Sequence, residues 1–249
     1  MNEITTTQIG GVFSIQLNRP EKKNAINKGM YISLNEALTR ASQDFDIRAV
    51  VISGAGESFT AGNDIFDFAN NDGAPMDESA PGFAFIKNLH NFPKPLIAAV
   101  SGSAVGIGTT LLLHCDAAYA SENAQFSMPF VTLGLVPEAG SSFLFPRLVG
   151  HVRASEILLT GRSFDASEAK EIGLINKVVE DPLAHAMKVA QQISEQPPTA
   201  VINTKALLKS SNHAAVEVVM DAEGELFRLA LQSDEAQTAF MRFLSRKAK

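Results

Sequence analysis

Polar and apolar residues alternate along Ile4–Ile9 and again along Val12–Leu17, with Gly10-Gly11 between them. That period is the signature of two half-buried strands joined by a tight turn. The polar stretch Arg19–Asn24 reads as a turn. Asn27 is placed to cap a helix that carries Met30, Leu34, Ala37, Leu38 and Ala41 at helical spacing. Ala49–Ile52 is a short buried strand followed by Gly54 and Gly56. Residues Asn70–Gly82 are polar and rich in Gly and Pro, and predict a mobile loop. Beyond it, Phe83–Leu89 reads as helix, Pro95–Val100 as strand, Ile107–His114 as helix and Ala117–Ala120 as strand.

This alternation predicts an α/β core with parallel crossovers. The composition changes at Pro197-Pro198. After it, Thr199–Lys209, Ala214–Leu231 and Glu235–Arg246 read as successive helices with little strand signal. The expected organisation is therefore a core over residues 1–196 and a helical C-terminal region over 197–249.

The chain has 249 residues and a formal net charge of −6. Its length allows a large core. Its charge argues against nucleic acid as the main partner but leaves room for an anionic ligand met by local Lys or Arg. The single cysteine, Cys115, excludes an internal disulfide and a cysteine metal cluster. Within Leu111–Asp116 it reads as a buried structural thiol. His90, His114, His151, His185 and His213 show no metal-ligand spacing. The apolar stretch Leu96–Leu113 is broken by Ser101, Gly102, Ser103, Gly106 and Gly108, which suits a strand–turn–helix passage and not a membrane span. The N-terminal residues lack signal-peptide character, and Arg246–Lys249 does not resemble a peroxisomal address. The expectation is a soluble, cytoplasmic protein with neither membrane nor nucleic acid as partner.

Two segments carry candidate chemistry: Phe59-Thr60-Ala61-Gly62-Asn63-Asp64-Ile65 and Ser101-Gly102-Ser103-Ala104-Val105-Gly106-Ile107-Gly108. Each ends a strand-like run with small residues and turns toward a helix. Such bends let backbone N–H groups face a ligand without a side chain in the way. Two of them can supply two donors to one oxyanion. Glu138, in Leu135-Val136-Pro137-Glu138-Ala139-Gly140, can supply a base. Together these suffice to make and quench an enolate. An apolar pocket would raise the Glu138 pKa and a helix N-terminus would lower it; the letters leave both open. Asp64 reads as a turn-stabilising carboxylate, Ser141 and Ser142 as a helix start, and Phe143 and Phe145 as core.

At these residues the chain resembles the crotonase (enoyl-CoA hydratase/isomerase) superfamily. The resemblance runs from Leu17–Ala25 through Phe59–Ile65 and Ala98–Asp116 to Gly161–Ala166, in the family's order. It implies a spiral of ββα repeats with a C-terminal helical appendage, assembled as a homotrimer or hexamer. It implies an acyl-CoA thioester as substrate, with CoA part of that substrate and no separate cofactor or metal. The oxyanion amides would be those of Asn63 and Ile107. Lys23, Ala25, Ala61, Gly62, Asp64, Ile65, Gly106 and Phe130 would stand around the substrate; Lys22 and Lys23 fit phosphate contacts or a solvated turn equally.

Hydratases of the family hold a water between two glutamates. At the matching positions this chain has Thr110 and Phe130. Glu138 instead matches the single base of peroxisomal-type Δ3,Δ2-enoyl-CoA isomerases. The resemblance thus implies an isomerase. The alternatives are another crotonase-type reaction (hydration with an unusual acid, thioester hydrolysis or decarboxylation) and a non-catalytic acyl-CoA-binding protein.

Overall fold

The computed structural model describes residues 2–66 and 80–247. Strands β1 (Ile4–Ile9) and β2 (Val12–Leu17) pair antiparallel with Ile9 opposite Val12. Helix α1 (Lys28–Gln43) then leads to β3 (Ala49–Gly54), and α2 (Pro81–Asn91) to β4 (Leu96–Val100). After β5 (Ser103–Val105) come α3 (Ile107–Thr110), β6 (Ala117–Ala120) and β7 (Gln125–Ser127). Helices α4 (Ser141–Val149) and α5 (His151–Thr160) precede β8 (Ser163–Asp165), α6 (Ala166–Glu171) and β9 (Lys177–Val178). The chain ends in α7 (Pro182–Ser194), α8 (Pro198–Ser210), α9 (His213–Leu231) and α10 (Asp234–Lys247).

The main sheet has the order β1-β2-β3-β4-β6-β9, and every pairing after β1–β2 is parallel. Both faces of its middle are covered, which is why Ala49–Ile52 is a continuous apolar run instead of an alternating one. Val50 and Ile52 face the main core with Leu34, Leu38 and Phe85. Ala49 and Val51 face a second cluster with Ile97, Ala99, Ala186 and Ala190 under α7. Asn27 caps α1 as its sequence position predicts: its side chain accepts from the Met30 amide at 2.8 Å. Such a cap stabilises by about 1 kcal/mol over alanine.

A smaller sheet of order β5-β7-β8 was not expected. Its strands are three residues long, too short to show a period. The helix expected over Ile107–His114 is α-helical only to Thr110 and tightens to a 3₁₀ turn over Leu111–His114. The expected loop at 70–82 lies mostly outside the described residues; Pro81 and Gly82 open α2.

The C-terminal helices are tied to the core by buried polar groups. Lys205 Nζ donates to the Lys94 carbonyl and to Asp116 Oδ2, both at 2.6 Å. Lys209 Nζ donates to the His114 carbonyl at 3.2 Å. Helix α9 buries Val216, Met220, Glu223, Phe227 and Leu231. The chain itself thus covers Val216 and Phe227. Leu207, Leu208 and Leu226 do stand exposed. No helix among the described residues is long and apolar enough to cross a membrane.

Candidate active site

The two glycine bends lie against each other. Thr60 and Ala104 form a parallel bridge, the Thr60 amide donates to the Ser103 carbonyl at 2.9 Å, and the Val105 amide to the Thr60 carbonyl at 3.1 Å. Gly62, at φ +84°, has room for nothing more: a Cβ there would stand 2.6 Å from the Val105 carbonyl oxygen. Gly106, at φ +57°, faces open space instead. Among the described residues, neither the Asn63 amide nor the Ile107 amide donates a hydrogen bond. The chain thus presents two unpaired N–H groups from neighbouring turns, and Ile107 is the first residue of α3.

The first bend is braced from Arg19–Ala25. Asn24 is fully buried; its Nδ2 donates to the Ala55 and Ser58 carbonyls at 2.9 and 2.7 Å, and its Oδ1 accepts from the Arg19 amide at 2.9 Å. Arg19 Nη1 reaches the Ala25 carbonyl at 3.1 Å and Asp64 Oδ2 at 2.7 Å. Asp64 Oδ1 accepts from the Phe66 amide at 3.1 Å, so both carboxylate oxygens hold the turn, as its position suggested. The Tyr31 hydroxyl donates to Asn63 Oδ1 and fixes that side chain.

Glu138 is 5% exposed and lines a cleft with Phe83, Ile86 and Lys87 of α2, its neighbour Ala139, and Met220, Glu223 and Gly224 of α9. Thr110 Oγ1 donates to Glu138 Oε1 at 2.7 Å. Burial pushes the Glu138 carboxyl up to about 7; the Thr110 bond opposes this and the Glu223 charge adds to it. Of the two influences left open by the sequence, the apolar surroundings prevail.

The loop around Glu138 is held at three points. The Ser141 hydroxyl donates to the Glu138 carbonyl at 2.6 Å. His114 Nε2 meets the Ala139 carbonyl at 2.7 Å. A carbonyl only accepts, so Nε2 carries the hydrogen; burial pushes this imidazole down to about 3, and it is neutral. Ala139 itself sits at φ +59°, a left-handed conformation that costs a residue with a Cβ about 1–2 kcal/mol. Lastly, Glu223 accepts from the Gly140 amide at 2.6 Å, the Ser142 amide at 2.8 Å and the Ser142 hydroxyl at 2.5 Å.

Lys23 is exposed at φ +51°, and its carbonyl accepts from the Ala61 amide at 2.8 Å. Ala25, Ala61 and Ile65 are half-buried near the first bend. Phe130 is buried in the main core. Cys115 is half-buried against the core, its Sγ 3.5 Å from the Leu111 carbonyl and its thiol pushed up to about 12 by desolvation. The histidines, unremarkable by spacing, meet in space: the ligating atoms of His90, His213 and Glu217 lie within 4.8 Å of one another. Burial, and then the charges of His213 and Lys209, lower the His90 pKa, and the Lys209 ammonium opposes a cation there.

Sequence reasoning missed Glu223, Tyr31, Asn24 and His114. Glu223 did leave a signal: a lone carboxylate on the stripe Val216, Met220, Phe227, Leu231 of an otherwise apolar helix face.

A family model described as enoyl-CoA hydratase/isomerase matches residues 7–249. The chain is similar to enoyl-CoA delta isomerase 2 of Rattus norvegicus, 38% identical over 253 residues that cover 99% of this chain and 64% of that protein. It thus spans somewhat less than two thirds of that relative's length. It is similar to 2,3-dehydroadipyl-CoA hydratase of Escherichia coli, 33% identical over 250 residues, or 99% of this chain and 97% of that one. Among solved structures, OdaA of Pseudomonas aeruginosa superposes with a TM-score of 0.93 at 42% identity, over 98% of this chain and 99% of that chain.

Proposed function

The chain belongs to the enoyl-CoA hydratase/isomerase family, and from that premise we propose that it moves the double bond of an enoyl-CoA from C3–C4 to C2–C3. The observation that carries this reading is one buried carboxyl, Glu138, held by Thr110, which stands at the position matching the first of a hydratase's two glutamates.

The thioester oxygen lies between the Asn63 and Ile107 amides. Glu138 takes a proton from C2. The electron pair left behind spreads over C1 to C4 and onto the thioester oxygen, where the two N–H groups stabilise it. The protonated Glu138 then returns the proton at C4. One proton leaves and one comes back, so no water, redox partner or metal is consumed. A carboxyl with a pKa near 7 suits both halves: it is a stronger base than an exposed glutamate and still a competent acid. The apolar walls from Phe83, Ile86 and Met220 keep the dienolate from bulk water.

The test is direct. The purified protein is mixed with 3-hexenoyl-CoA and the conjugated-enoyl absorbance followed, with Glu138→Gln in parallel. A rise that depends on Glu138 supports the reading. No rise, or a rise that Glu138→Gln leaves intact, overturns it.

A further inference from the structure

We infer that Glu223 is a positioning residue for Glu138: by occupying the first amides of α4, it keeps them from solvating the base and holds the base's loop in place. Insofar as Glu138 is the base, this rests on the function proposed above.

Glu138 precedes α4 by three residues. The first N–H groups of a helix are unsatisfied within it and carry its positive partial charge. A glutamate so close to them would ordinarily turn toward them, lose basicity and leave the cleft. Here a different carboxylate has taken their place. Glu223 comes from α9, 83 residues beyond Gly140, and accepts from the Gly140 amide at 2.6 Å and the Ser142 amide at 2.8 Å. The Ser142 hydroxyl, at 2.5 Å, completes its set. Both Glu223 oxygens are engaged, so it is no second acid for the substrate. Among the described residues, Glu138 is left with Thr110 alone as side-chain partner.

The other charged or titratable groups facing Glu138 are few. Tyr31 of α1 is buried and un-ionised. Lys87 of α2 lines the cleft and pairs with Asp221 at 3.3 Å. His114 is neutral and bonded to the Ala139 carbonyl. Glu223 is therefore the charge that acts on Glu138 from the α9 side, and its repulsion favours the protonated base.

The test separates this inference from the reaction assignment by watching the carboxyl itself. Protein carrying glutamate labelled with ¹³C at the side-chain carboxyl is titrated by NMR, and the Glu138 signal is identified by its loss in Glu138→Gln. In Glu223→Gln the like charge is gone and one of the two amides loses its acceptor oxygen, so both effects lower the Glu138 midpoint, by roughly one pH unit. Glu223→Asp keeps the charge but withdraws it from the amides; it should shift the midpoint the same way by less, and it carries the test should Glu223→Gln fail to fold by circular dichroism. If the 3-enoyl-CoA is turned over, kcat should fall at least about tenfold with KM changed little, and the acid limb should move with the NMR midpoint. A folded Glu223 variant with an unmoved Glu138 midpoint overturns the inference, whatever the substrate proves to be. A moved midpoint in a protein that never isomerises 3-enoyl-CoA overturns the reaction and leaves the role of Glu223 standing.

Discussion

Thr110 and Glu138 are joined by one hydrogen bond, 2.7 Å from Oγ1 to Oε1, with neither residue more than 5% exposed. The threonine can donate to the carboxylate but cannot exchange protons with substrate. The pair therefore orients one base and offers no second acid.

Glu138→Gln keeps the shape and the Thr110 bond and removes the base. Turnover of 3-hexenoyl-CoA should fall by about 10²–10⁴ while acyl-CoA affinity, measured by calorimetry, changes little. The same variant should be more stable at high pH. A buried acid whose folded pKa lies above its unfolded one makes the folded state bind more protons, so stability falls as pH rises from about 4.5 toward 7. Removing the charge recovers up to about 3 kcal/mol at pH 8 and almost nothing at pH 4. Thermal unfolding at the two pH values reads this; an equal change at both would mean Glu138 is not desolvated.

The pH–rate profile follows from the same carboxyl. Since the ionised form is the base, kcat/KM should drop on the acid side with a midpoint near 7. Thr110→Val removes the bond that favours the ionised form and should move this limb to higher pH. A limb near 4.5 in the wild type would show that solvent reaches Glu138 in solution.

Water addition should be slow. Hydration of a 2-enoyl-CoA needs a group to hold and activate water besides the acid that delivers the proton, and Thr110 supplies neither charge nor basicity. Formation of 3-hydroxyacyl-CoA from crotonyl-CoA should lag far behind isomerisation of a 3-enoyl-CoA. Comparable rates by chromatography of the products would point to a hydratase.

How much of this was readable beforehand depended on distance along the chain. The strands β1 and β2 and the Asn27 cap were legible to the residue, because alternation and capping are local. The strands of the small sheet were not, because each is stabilised by pairing across the fold and not by its own pattern. Within the site, Glu138 and the two glycine bends stood out as letters. The partners that define their chemistry did not: Glu223 lies on a helix whose other buried residues are apolar, and the Tyr31–Asn63 bond spans 32 residues. Phe130, expected beside the substrate, is buried in the same core cluster that holds Ile86, Ala139 and Met220 of the cleft.

Assembly should bury the exposed apolar residues of the tail. Leu207 and Leu208 are 75% and 78% exposed on consecutive positions of α8, with Leu226 at 55% on α9. Light scattering at micromolar concentration should give a trimer or hexamer. Leu207→Asp with Leu208→Asp should reduce the mass if these residues lie in the interface. A wild-type monomer would remove the proposal.

The oxyanion site is the hardest part to test, because backbone carries it. Ile107→Ala keeps the N–H and should retain much of the activity. Ile107→Pro deletes the donor. The backbone can take that change, since Ile107 is the first residue of α3, where proline is tolerated, and Gly106 before it escapes the steric restriction that proline imposes; the buried Ile107 side chain is lost as well, so Ile107→Ala is the control for packing. Loss of one such donor typically costs about 10²–10³ in rate. Gly62→Ala tests the other bend. Its Cβ would meet the Val105 carbonyl oxygen at 2.6 Å, so the two turns must separate and the amides with them. Both variants should lose kcat while still binding a saturated acyl-CoA, with circular dichroism confirming the fold. A folded Ile107→Pro protein with normal isomerisation would take the Ile107 amide out of the mechanism. The proposed dienolate would then rest on Asn63 alone, too little for a thioester proton whose removal needs both donors.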